Sequence, residues 1–572
     1  AGKFDEAVAA ARRAIAISPA MASAHANLGT ALHLKGELDV SVHAYEEAIR
    51  LDPRFAAAHN NLGNVLQAQG KFDAAERAYR RSAECDPAAA GTYNNLGSVL
   101  QDLERPDEAI DACRRAIALD PNMPEAHNNL GNALRERGEI AEAIKSFRRA
   151  MEVRPSYAIV HSNYLFALHF DPSFDAAAIR AEHEKWAASR ANDLTRAAPP
   201  IQVSDRSPQR RLRIGYVSGE FREHAVGRFM LPIVAKHDRT RFEVICYSDV
   251  RAEDAVTVAI RQRADLFVAS AALDHAQLAS KIRADNIDIL VDLALHSGRN
   301  RLLAFARRAA PVQVTYLGYP GTTGLAAMDF RLTDPQLDPV GSDATYSERS
   351  LRLPQTYWCY VLPPNMPGVG PLPAASAGHI TFGCLNKFTK VSDDALRAWA
   401  QLLARTPNSR LILHAPVGQT RDRVLAMMAT ESVAPDRIEF VGRRPAIDYL
   451  ETYNRIDVAL DPFPYNGGTT TCEALLMGAP VVSLAGDIAV RRAGVSILTN
   501  VGLTELVART PAEYVEIATE LAADRPRLSK IRGELRGRML ASPLSDLPAF
   551  VRDLEAAYLS MWNDVAQAGA EH

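Results

Sequence analysis

DVALDPFPYNGGTTTCEALLMGAP, residues 457–480, changes character twice within one short stretch. DVALDPFP has the length and apolar content of a buried strand, YNGGTTT is a turn, and CEALLMG is a helix stopped by Gly478 and Pro480. The turn therefore falls at a helix N-terminus. Unpaired backbone N–H groups and the positive end of the dipole favour an anion there, Gly467 and Gly468 let it approach, and Thr469, Thr470 and Thr471 add hydroxyl donors. Glu473, on the first turn of the helix, has the reach to accept hydrogen bonds from a ribose. A strand-to-helix turn capped by threonine uses the same residue types, so this segment by itself leaves both readings open. The chain has no G-x-x-x-x-G-K-[ST] and no G-x-G-x-x-G after its first strand, which argues against an ATPase or a dinucleotide enzyme.

Outward from this segment, short apolar runs alternate with helical stretches. HITFGCLN, SRLILHAPV, RIEFVG and PVVSLAG share its half of the chain; RLRIGYVSG, FEVICYS, IDILVDLAL and VQVTYLGYP form an earlier half, and the Pro/Gly-rich residues 363–378 lie between the two. This is the signature of α/β architecture, two doubly wound parallel sheets with crossover helices, with a ligand expected at the carboxyl ends of the strands. Residues 173–196 read as one amphipathic helix, AAPPIQVSDRSPQ after it reads as a boundary, and residues 547–567 read as a last helix that packs back on the two lobes. The expected domains are 1–170 helical repeats, 171–209 helical linker, 210–377 N-terminal lobe, 378–545 C-terminal lobe and 546–572 C-terminal helix.

The first 170 residues keep a period of 34. Asn-Leu-Gly occurs at 27–29, 61–63, 95–97 and 129–131, and proline recurs at 19, 53, 87, 121 and 155. Gly36, Gly70 and Gly138 mark where one helix ends and the next begins, with small and aromatic residues such as Tyr45, Tyr79 and Phe147 at helical spacing. The pattern resembles the tetratricopeptide repeat, a helix-turn-helix unit that buries its faces by stacking. A degenerate unit follows Pro155. Core packing does not ask for the asparagine, a mediocre helix former. Asn27, Asn61, Asn95, Asn129 and Asn163 are either copies carried along by duplication or a ladder of amides that grips the backbone of an extended peptide acceptor in the repeat groove.

Lys and Arg number 65 against 68 Asp and Glu, which offers no footprint for nucleic acid. The six cysteines form no C-x-x-C pair, as in a reducing compartment. No apolar run reaches the ~18 residues of a membrane span. The expectation is a cytoplasmic protein without membrane or nucleic-acid partners. The chain opens midway through a repeat without Met, so sequence upstream of residue 1 is expected.

Repeats running into two strand-helix halves with LRIGYVSGEFREH, VTYLGYPGTTG, GCLNKFTK and DPFPYNGGTTTCEALLMGAP resemble the nucleocytoplasmic protein O-linked N-acetylglucosaminyltransferases across essentially the whole chain. The resemblance implies a GT-B glycosyltransferase with UDP-N-acetylglucosamine as donor substrate, Ser or Thr hydroxyls of proteins as acceptors, inversion at the sugar, no cofactor and no metal. The chain has no D-x-D, the pair with which a metal-dependent sugar-nucleotide enzyme holds its ion. Lys390 matches the family lysine that contacts the diphosphate, and Asn386 shares that wall. Glu473 takes the place of the ribose-binding acid, Gly468 stands where several relatives carry histidine, and Tyr465 is the nearest aromatic to a base-stacking position. His224 matches a family histidine at the junction of sugar and acceptor, where an imidazole suits general-base work at neutral pH. Asp292 and His296, four apart after a strand, are a second candidate base or orienting pair, or a strand-end acid capping the next turn. Gly321 and Thr322 are candidate donors to sugar or phosphate, and the donor's own phosphate is a further candidate for the proton. Two alternatives stay open: a Spindly-type protein O-fucosyltransferase using GDP-fucose, toward which LPQTYWCYVLPP leans, and a repeat scaffold without activity.

Overall fold

The structure, a computed structural model, describes residues 2–201, 203, 205, 207, 209–363 and 365–568. It divides into two compact units, residues 1–160 with 416–420, and residues 161–415 with 421–572.

The first unit is a run of paired antiparallel helices, Gly2–Ile17 through Ile140–Val153. Its period has a steric cause. A Cβ built on Gly29, Gly63 or Gly131 would lie 2.9, 2.6 or 2.6 Å from the ring of Tyr45, Tyr79 or Phe147, and one on Gly97 would lie 2.5 Å from the sulfur of Cys113. The glycine of each Asn-Leu-Gly is thus the socket for a side chain sixteen residues on, in the second helix of the same pair. Gly36, Gly70 and Gly138 end their helices at φ 88°, 75° and 84°, the left-handed region. In the third repeat Glu104 takes this position at φ 57°.

The second unit holds two parallel sheets. In the first, β1 (Leu212–Ser218), β2 (Phe242–Ser248), β3 (Leu266–Ala269), β4 (Ile289–Asp292), β5 (Val312–Thr315), β6 (Phe330–Thr333) and β7 (Arg349–Arg352) run in the order 3-2-1-4-5-6-7. In the second, β8 (Thr381–Cys384), β9 (Arg410–His414), β10 (Ile438–Val441), β11 (Val458–Leu460), β12 (Val481–Leu484) and β13 (Val507–Ala508) run 10-9-8-11-12-13. Order reverses beside β1 and again beside β8, the switch points where α/β sheets open a crevice. One continuous apolar core passes through both sheets and their helices, from Leu212 to Trp562.

One expectation is corrected. The helix read over 173–196 is two, Ala176–Arg190 and Asn192–Arg196, broken at the fully buried Ala191. The second is pinned by Thr195, whose hydroxyl donates to the carbonyl of Ala306 at 2.9 Å. The final helix, Leu547–Ala568, follows the second lobe in sequence but returns to the first: Glu555 accepts from His237 Nδ1 at 2.9 Å, and Tyr558 Oη lies 3.1 Å from Tyr216 Oη. No helix among the described residues is long and apolar enough to cross a membrane.

Candidate functional site

Every candidate on the two lobes lies at or beyond the carboxyl end of a parallel strand: His224 after β1, Asp292 and His296 at and after β4, Gly321 and Thr322 after β5, Asn386 and Lys390 after β8, and residues 465–473 after β11. Helix Thr469–Leu476 starts from Gly468 with no side-chain cap. The threonine-capped alternative is therefore not what forms; the Thr471 N–H turns back to the Gly468 carbonyl at 3.1 Å, while the amides of residues 468–470 have no hydrogen bond among the described residues. Thr470 Oγ1 donates to Asn386 Oδ1 at 2.6 Å, while Thr471 Oγ1 is buried without a protein partner. A Cβ on Gly467 would stand 2.5 Å from Thr470 Oγ1, 2.7 Å from Thr471 Oγ1 and 2.9 Å from Asn386 Oδ1. Only glycine fits. Asn386, Thr470 and Thr471 line a small recess with Cys384, Tyr453, Asp461 and Ala474.

Lys390 brings the cation. Its half-buried ammonium donates to the carbonyl of Asn466 at 2.8 Å and sits 4.4 Å above the ring of Tyr465. Burial lowers its pKa and the carboxylate of Asp461 opposes that shift. Tyr465 is also stacked on Phe170 at 4.7 Å and 11°, and is 9% exposed. Its ring is occupied, which corrects its reading as a base-stacking platform. Gly468 meets a different aromatic: a Cβ there would lie 2.9 Å from Trp358, whose own Nε1 is buried without a partner.

Glu473 is buried and its carboxyl is pushed up to about 7, burial outweighing the pull of Arg228, Tyr449 and Tyr360. Tyr449 donates to Oε2 at 3.1 Å and Tyr360 to Oε1 at 3.3 Å, and Arg228 of the first lobe is 3.4 Å from Oε1. These three partners leave one acceptor site of the carboxylate, on Oε2, for a further donor.

On the first lobe, His224 caps helix Ala225–Lys236, its Nδ1 accepting from the Val226 N–H at 3.3 Å. The ring is exposed, yet the protein packed around it lowers its pKa, with Glu220 opposing and Arg222, Lys387 and Arg228 assisting. With Nδ1 as acceptor, the neutral imidazole carries its proton on Nε2 and is a hydrogen-bond donor there. The remaining candidates hold structure. Asp292 accepts from the N–H groups of Ala294 at 3.2 Å and Leu295 at 2.9 Å and from the Thr315 hydroxyl at 2.9 Å, and burial lifts it to about 6. His296 is fully buried between Thr323 O at 2.9 Å and Ser162 Oγ at 3.3 Å. Asp292 and His296 are therefore no exposed base pair: Asp292 ties its own turn after β4 to β5, and His296 ties that turn to the loop after β5. Thr322 spends its hydroxyl on the buried Glu348 at 2.7 Å, so that hydroxyl is not the donor expected of it in this conformation, and the Gly321 carbonyl accepts from Arg331 at 3.2 Å.

In the repeat unit the asparagines bond to each other. Asn95 Nδ2 donates to Asn60 Oδ1 at 3.1 Å and Asn129 Nδ2 to Asn94 Oδ1 at 2.9 Å, while Asn61, Asn95 and Asn129 each accept from the asparagine before them in sequence. Asn27 is exposed, and Asn163 stands on helix Ala158–Leu168 in the second unit. Asn95 also donates to Asn64 Oδ1 at 3.1 Å, so both of its N–H donors are spent within the repeats.

The profile of Glycosyl transferase family 41 matches residues 150–361 and 372–554. The chain belongs to this family. Tetratricopeptide repeat profiles match residues 1–42, 29–70, 54–120 and 88–156. A solved mutant of Thermobaculum terrenum O-GlcNAc transferase is 40% identical with a TM-score of 0.85, covering 90% of this chain and 98% of that one. The lobes thus form the GT-B pair of family 41. Among curated family relatives, the probable UDP-N-acetylglucosamine–peptide N-acetylglucosaminyltransferase SPINDLY of Petunia hybrida is 39% identical over 63% of this chain and 39% of its own length. The protein of the same description named SEC, from Arabidopsis thaliana, is 32% identical over 62% and 37%. The chain spans about two fifths of the length of these curated relatives.

Three residues of this family 41 site escaped the reading of the sequence: Asp461, Trp358 and Arg228. Asp461 was within reach, a lone acid at the end of β11 that faces the Gly467 amide at 2.7 Å. Arg228 and Trp358 have no motif; only the packing of the lobes brings them to Glu473 and Gly468.

Proposed function

We propose that this protein is a protein O-GlcNAc transferase that moves N-acetylglucosamine from UDP-N-acetylglucosamine to Ser or Thr hydroxyls, with inversion and without a metal, in the cytoplasm. The observation that carries this reading is Lys390 held on the Asn466 carbonyl, directly beside the uncapped turn 467–471. A fixed ammonium and a set of helix N-terminal amides face the place where charge develops as a nucleoside diphosphate leaves. The acceptor oxygen attacks the anomeric carbon, the bond to the phosphate oxygen breaks with its electron pair, and Lys390 and the amides take up that charge. His224 Nε2 donates rather than accepts, so the acceptor's proton is assigned to an oxygen of the departing phosphate. The asparagine ladder presents the protein acceptor through its backbone.

A second reading, transfer of fucose from GDP-fucose, is favoured by the segment that places Trp358 against Gly468, since it changes the wall on which a base is read. Titration of the protein with UDP and GDP separates the two, and preference for GDP overturns the donor assignment. Transfer assays with Lys390→Ala test the reaction: the substitution should lower kcat on the order of 10²–10³-fold. A wild-type protein with no turnover would leave only a scaffold.

A further inference from the structure

The Asn466–Gly467 peptide lies between two opposite charges. Its carbonyl accepts from Lys390 Nζ at 2.8 Å and its N–H donates to Asp461 Oδ1 at 2.7 Å. A cation, a peptide dipole and an anion stand in series, each strengthening the next. The other oxygen of Asp461 accepts from the Ser483 hydroxyl at 2.6 Å, and the acid is 1% exposed. No room is left around it: a Cβ on Gly494 would lie 2.0 Å from Ser483 Oγ and 2.7 Å from Asp461 Oδ2. An isolated buried carboxylate is costly, and neither of its hydrogen bonds comes from a cation. Lys390 is the cation that offsets it, through the intervening peptide.

We propose that Asp461 is a positioning residue for sugar transfer: by holding the Gly467 N–H it fixes the peptide on which Lys390 rests, and so sets both the charge of that ammonium and the shape of the turn beside it. The proposal rests on the transferase reading for its consequence in catalysis, but not for the electrostatic link itself. Substrate binding leaves Asp461 untouched, because its oxygens face Gly467 and Ser483; its influence passes through Lys390 and the turn.

The test reads Lys390 directly. Protein labelled with ¹³C at lysine Cε is titrated by NMR, with Lys390→Arg identifying the resonance and a melting curve reporting the fold of each variant. Burial predicts a wild-type midpoint below the ordinary lysine value of ~10.4. Asp461→Asn keeps the shape but removes the anion, and is expected to lower the midpoint so that the charged fraction at a given alkaline pH falls about tenfold. Its kcat should fall about tenfold at pH 8 with KM changed less than about threefold, since the group acts on charge formed only in the transition state. Ser483→Ala retains the carboxylate, removes one hydrogen bond to it, and should move the midpoint the same way by less, which keeps the test alive if Asp461→Asn does not fold. Midpoints in these variants that coincide with wild type overturn the proposal, as does a lowered midpoint with wild-type kcat. A lowered midpoint in a protein that transfers no sugar from any donor leaves the link standing and removes the transferase reading instead.

Discussion

His224 shows how one hydrogen bond changes a residue's assignment. Its identity and place after β1 match a general base, but acceptance from the Val226 amide puts the ring proton on Nε2. A side chain that donates from the same place should then suffice. His224→Gln is expected to retain transfer within about tenfold of wild type while His224→Ala falls further, measured as kcat; equal loss in both would return the base role to the imidazole. Glu473 makes a second prediction through pH. Its folded-state pKa of about 7 lies above the ~4.3 of an unfolded chain. The folded protein holds that proton longer, so the group's contribution to stability is complete below the unfolded value and is lost as pH rises toward 7. The loss is on the order of 3 kcal/mol. Glu473→Gln removes the titration, so urea unfolding of the variant should weaken less than wild type between pH 5 and 7.5; identical slopes would show that Glu473 is not the titrating group.

Among the elements, the repeat helices follow most directly from the chain. The 34-residue period reports a socket-and-plug contact, and filling a socket should be felt: Gly63→Ala is expected to cost about 1–3 kcal/mol in denaturant unfolding by driving Tyr79 out of place. An unchanged midpoint would mean that the glycine is an inherited mark without a packing role. The strands were legible where they are buried on both faces, since β1, β2, β4, β5, β8, β9, β11 and β12 read as apolar runs. β3, β7 and β13 lie at sheet edges and are short, so the pattern is faint. β6 hides for another reason: Arg331, 1% exposed, interrupts its apolar run; it pairs with Asp338 at 2.7 Å and lies 3.5 Å over the ring of Tyr346. The glycine-threonine turn was legible from its strand-turn-helix setting. The burial of Asp292, His296 and Thr322 was not, because a strand-end polar residue reads the same whether it faces a ligand or its own turn.

For the whole molecule, the second unit is held as one body by contacts remote in sequence. Helix Leu547–Ala568 crosses back to the first lobe through the buried His237–Glu555 and Tyr216–Tyr558 contacts, and Arg228 reaches Glu473 in the second lobe. The crevice at the two switch points is therefore bounded by both lobes, with Lys390 and the uncapped turn on one wall and His224 on the other. On the proposed function these groups hold the diphosphate of the donor. A crystal structure of the protein soaked with UDP and, separately, GDP tests it most directly. Phosphate oxygens are expected within hydrogen-bond distance of Lys390 Nζ, the amides of residues 468–470 and the free hydroxyl of Thr471, with Lys390 keeping the Asn466 carbonyl through another of its three N–H groups. A nucleotide bound away from this recess, or one whose phosphates touch neither Lys390 nor an amide of the turn, would contradict it.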